Sequence, residues 1–138
     1  VNAGKVLHDL WREGRSVPFS WDGRNDCLGW AGRVAQGITG INPARHLVGT
    51  YDTMLGARRV MAANDWKTMT DVVLSLGLSP VETSQAQSGC WAIIDNGIGE
   101  QLVGVFWGAN IAAKTQTGMG LVPRSRALRA FSIHLGWV

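Results

Sequence analysis

Residues Pro18–Trp30 read "PFSWDGRNDCLGW", an extended entry that turns into a buried helix within a single stretch. Pro18 starts an extended segment, and the glycine and polar residues that follow keep it out of a helix. From Cys27 the texture changes: "CLGWAGRVAQ" through about Gln36 has helical spacing and few charges. Asn25 or Asp26 is the candidate N-cap, and Gly37 and Gly40 mark the end. Cys27 therefore opens a helix that carries Leu28, Trp30, Ala31, Val34 and Ala35, the composition of a buried element. Unpaired N–H groups and the helix dipole at such an end favour a thiolate, the nucleophilic form of cysteine. The alternative is a small buried residue where the helix meets a sheet. Position alone leaves both open: a working nucleophile, or the remnant of one.

Upstream, residues 3–13 form an amphipathic pattern with Val6, Leu7, Leu10 and Trp11 on one stripe, ended by Gly14. Downstream, "INPARHLVGTYDT" is a loop, Asp52 or Thr53 caps a third helix through about Ala63, and residues 68–76 supply a short fourth. Gly77, Pro80 and "ETSQAQSG" read as a linker. After it come "CWAIID" and "LVGVFWG", strand-like runs separated by "NGIGEQ", whose Asn-Gly favours a turn. "NIAAKT", "GLVP" and "RAFSIHLGW" supply shorter strands. Helices first and an antiparallel sheet second is α+β order.

The 138 residues suit one domain, and 46% hydrophobic against 17% charged residues excludes a disordered chain. No apolar run approaches the roughly 20 residues that cross a bilayer, and "VNAGKVLHDLWREGR" lacks the apolar core of a signal peptide. An opening Val is what removal of an initiator Met leaves, so the expectation is a complete product made in a cytoplasm. Two cysteines and three scattered histidines have no metal-ligand spacing; neither a metal nor a cofactor is expected. In a reducing compartment Cys27 and Cys90 are expected as free thiols. The net charge of +3, with Arg124, Arg126 and Arg129 clustered, fits a solvated face rather than a nucleic-acid site. Seven tryptophans exceed what one modest core needs. Trp107, Trp137 and Trp11 are the candidates for cover by other chains, with the three arginines as a polar rim.

Three stretches carry a resemblance: "PFSWDGRNDCLGWAGRVAQGITG", "ARHLVGTYDTMLGARRV" and "SGCWAIID" followed by "LVGVFWG". Over residues 15–135 the chain resembles a small family of phage and prophage proteins, themselves similar to NlpC-like cell-wall cysteine peptidases of papain-like fold. The resemblance implies one NlpC-like domain over 1–138: an N-terminal helix at 1–14, a helical half at 15–79, and an antiparallel sheet or partial barrel at 88–138. In such enzymes the nucleophilic Cys heads a helix, here Cys27 after Asp26, and the general-base His opens the strand that matches "LVGVFWG". The residue at that place is Leu102, which cannot take a proton from a thiol. Nor does Lys114 or Gln116 convincingly match the residue that orients the His. His46, in the loop, is the candidate substitute base, with His134 second and His8 on the first helix a surface residue.

The resemblance implies a structural component of a long-tailed phage tail tip, a catalytically degenerate peptidase module assembled in the host cytoplasm and carried in the virion. Its expected partners are other tail-tip or hub proteins and host peptidoglycan, with no nucleic acid and no membrane insertion. The rival expectation is an active peptidase or amidase that degrades peptidoglycan during genome entry. A third is a binding module that holds a cell-wall peptide without cutting it.

Overall fold

Among the described residues four α-helices precede six strands. A computed structural model describes residues 2–134, and the order is α1 (Ala3–Ser16), α2 (Cys27–Thr39), α3 (Met54–Ala63), α4 (Met69–Ser75), β1 (Pro80–Val81), β2 (Trp91–Asp95), β3 (Gln101–Trp107), β4 (Asn110–Thr115), β5 (Gly118–Pro123) and β6 (Arg129–Phe131). Each helix starts where a short polar side chain can take an orphan amide. Asn2 accepts from Lys5, Asp26 from Gly29, Thr53 from Gly56, and Thr68 with Asp71 closes a capping box. Among the described residues no helix is long and apolar enough to cross a membrane.

The strands form one antiparallel sheet in the order β1-β6-β2-β3-β4-β5. Both faces are covered. On one face Trp91, Ile93, Val103 and Val105 pack against Leu7 of α1, Trp30, Ala31 and Val34 of α2, and Val73 of α4. Each fully buried aliphatic side chain there contributes about 1.5–3 kcal/mol. The two fully enclosed indoles also find acceptors: Trp30 donates to Leu10 O at 3.0 Å and Trp91 to Ala31 O at 3.1 Å. On the other face Ala92, Ile94, Phe106, Ile111, Ala113 and Ala130 form a second cluster with Ala86. Arg124 closes it. Its guanidinium stacks 4.9 Å from the Phe106 ring and donates to Thr83 O, Ala86 O and Gly108 O.

The stretch read as a linker contains β1, which pairs with β6 through Pro80↔Phe131 and Val81↔Ala130. Two residues at a sheet edge leave no periodicity to read, and proline is tolerated there because no ladder partner needs its N–H. The last strand ends at Phe131 rather than continuing into Ser132–His134, because its partner on β2 there is Trp91, where β2 begins. Residues 135–138, including Trp137, lie outside the described residues. Of the three arginines grouped in the sequence, Arg124 is half-buried and bonded within its own chain, while Arg126 and Arg129 are exposed. Trp11 and Trp107 pack on each other, ring centroids 5.9 Å apart, and are half-buried against the helix-side core.

Candidate functional site

The segment before α2 folds on itself through two carboxylates. Asp22 Oδ1 accepts from the amides of Arg24 and Asn25 at 2.8 Å each. Burial opposes it, yet those amides hold its carboxyl below the usual carboxylate range. Asp26 does more. Its Oδ1 accepts from Gly29 N at 2.7 Å as the N-cap of α2, and its Oδ2 accepts from Gly23 N at 3.0 Å and Tyr51 Oη at 2.6 Å. Asp26 is only 2% exposed. Burial raises its pKa, and the three donors only partly offset that.

Two glycines make this packing possible. Gly23 sits at φ +78°, where an L side chain is strained. A Cβ on Gly29 would lie 2.4 Å from Gly23 C and O and from Arg24 N. The backbone of the turn thus lies directly on the first turn of α2. Asp22, Gly23, Asp26 and Gly29 are each accounted for by the cap, and the "GTY" loop supplies Tyr51 to it.

Cys27 is the first residue of α2 and is 7% exposed. It borders two cavities. The larger, about 670 Å³, is also lined by Trp21, Met54, Met61, Leu102 and Lys114; the smaller, about 60 Å³, by Asp26, Tyr51, Trp66 and Val72. Burial and then the Asp26 charge push the Cys27 thiol up to about 12, against the pull of the Val103, Leu28 and Cys27 amides. The helix terminus does stabilise a thiolate. That effect is typically 0.3–1 kcal/mol, too small to offset burial beside a carboxylate. Cys27 is therefore a neutral thiol near pH 7. Both cysteines are free, with Cys90 half-buried, and burial raises the Cys90 thiol as well.

Asp26 and Cys27 are brought together; the candidate bases are not brought to them. His46 is exposed in the turn Arg45–Leu47, His8 is exposed on α1, and His134 is exposed after β6. None of the three lines either cavity beside Cys27. Leu102, half-buried on β3, does line the larger one. Gln116 is exposed in the β4–β5 turn.

Lys114 has a role that the sequence did not disclose. It is 1% exposed, and its Nζ donates to Val17 O at 2.7 Å and Gly14 O at 3.3 Å, at the end of α1. Burial lowers its pKa. The available signal was its place in "IAAKT", two residues from Ala112 and so on the same face of β4. Among the described residues no group of three or more His, Cys, Asp or Glu could hold a metal ion.

The elements define an α+β domain with four helices and a six-stranded antiparallel sheet, in which a cysteine-headed helix is capped by a buried Asp–Tyr pair. The chain belongs to the family described as Domain of unknown function (DUF6950), whose model matches residues 3–133. Comparison with curated proteins gave no match.

Proposed function

We propose that the chain is a catalytically degenerate NlpC-like module of papain-like fold, serving as a structural part of the tail tip of a long-tailed phage or a related particle. The observation that carries this reading is the cleft itself. Cys27 and Leu102 line it together, and no imidazole does. A papain-like peptidase needs a base within hydrogen-bond reach of its thiol. Leu102, where the resemblance puts that base, is an alkyl chain packed with the Ile94 and Phe106 cluster, and the thiol is held neutral by burial and by Asp26. The helix-then-sheet order and the cysteine at the head of α2 support descent from such enzymes. The tail setting rests on the resemblance in "SWDGRNDC" and "VGTY". An active peptidase is the less supported alternative, because its thiol would have to ionise unaided.

The test is a phage carrying Cys27→Ala in this chain. Particles that assemble, contain the chain and infect at the parental rate support a structural part. Particles that assemble yet fail to cross an intact cell wall would support the peptidase, and particles lacking the chain altogether would refute the tail assignment.

A further inference from the structure

The two edges of the sheet are unequal. β1 is a two-residue edge that begins with Pro80, a device that blunts strand pairing. β5 at the other edge is six residues long, "GMGLVP". It carries no charged side chain and no bulge against β4, to which it is paired without interruption from Asn110↔Pro123 to Thr115↔Gly118. No backbone hydrogen bond runs from residues 118–123 to anything but β4 among the described residues. The outward N–H and C=O groups of β5 are therefore a template for one more strand. Leu121, midway along the strand, is 48% exposed. It faces the helix side of the sheet in line with Ala112 and Val105, the face on which the Trp11–Trp107 pair sits.

We infer that β5 pairs antiparallel with β5 of a second copy of this chain, joining two six-stranded sheets across a two-fold axis. The choice of a second copy follows from the edges. Head-to-tail pairing would have to use β1, which is too short and begins with proline. Pairing β5 with itself uses the open edge twice and closes, so a dimer forms rather than a filament. Antiparallel pairing must set residues of the same face opposite one another. Of the two registers that use most of the strand, which set Leu121 opposite its own copy or opposite Met119, the inferred dimer takes the first, with the most exposed large apolar side chain of the strand on the axis. With Leu121 on the axis, Arg124 and Arg126 fall opposite Gly118 and Gln116, so no like charges meet. The inference is independent of the proposed tail-tip function.

The experiment is sedimentation velocity of the intact chain from micromolar to about 1 mM, with amide hydrogen exchange measured at both ends of that range. The expected result is a concentration-dependent shift from one to two copies, with new protection confined to the amides of 118–122. Leu121→Lys and Leu121→Glu should each remain folded and weaken association about tenfold or more. Mixing the two should restore a dimer, because opposite charges then meet at the axis, and a merely misfolded variant would not be rescued. A chain that stays monomeric across the range would overturn the inference. So would a dimer whose new protection lies elsewhere, or variants that dimerise as the parent does.

Discussion

Tyr51 Oη donates to Asp26 Oδ2 at 2.6 Å, across 25 residues of chain. This bond joins the "GTY" loop to the cap of α2, and burial and the Asp26 charge raise the Tyr51 pKa well above its usual value. The phenol is thus a fixed donor. Tyr51→Phe should cost about 1–3 kcal/mol, because it strips a donor from a buried carboxylate. Asp26→Asn should cost at least as much, since its amide would confront the Gly23 N–H. Urea unfolding of both single variants and the double variant should give a coupling well above zero.

Asp26 also predicts a sign for the pH dependence. Its pKa in the folded chain is raised from 3.8, so the folded state holds the proton more tightly than the unfolded one. The resulting stabilisation is complete below about pH 3.8 and is lost as pH rises through the folded pKa. Asp22, held low, acts in the opposite direction. The parent's stability advantage over Asp26→Asn should therefore grow as the medium is acidified. Denaturant midpoints at pH 3.5 and 7 check this, and an advantage that shrinks would be inconsistent with it.

Cys27 predicts a slow thiol. With the thiol raised from 9.0 to about 12, iodoacetamide at neutral pH should label half-buried Cys90 first and Cys27 only as the chain opens. Stability should fall as pH rises above about 9, where the unfolded chain ionises this thiol and the folded chain does not. Cys27→Ala should fold at a cost of about 1 kcal/mol and should remove that alkaline component.

Gly29→Ala should be among the most damaging small changes, at about 3 kcal/mol or more. Its Cβ would meet the backbone of Gly23 and Arg24 at 2.4 Å, and backbone there cannot step aside without breaking the Asp26 cap. Gly120→Ala is the control, because its Cβ would find its nearest neighbour at 3.9 Å. A thermal melt separates the two.

Much of the architecture was legible because local signals agreed. Asp26, Thr53 and Thr68 stand where caps belong, and "CWAIID" and "NIAAKT" are short apolar runs bounded by turn residues, as strands are. Four things were not legible. A two-residue edge strand at Pro80–Val81 has no pattern to read. Lys114 looks like any strand lysine until the end of α1 is brought over it. Cys27 showed its helix terminus in sequence, whereas the burial and the neighbouring Asp26 charge that outweigh the terminus exist only once the chain is folded. The same is true of His46, whose loop packs Leu47 into the core and leaves the imidazole in solvent.

The most direct test of a vacated catalytic centre is to incubate the intact chain with purified peptidoglycan and measure new amino termini between pH 5 and 9, beside Cys27→Ala. No release above the variant is expected at any pH, because no imidazole lines the cavities beside the thiol and the thiol stays neutral throughout. Release by the parent that disappears in Cys27→Ala would contradict it.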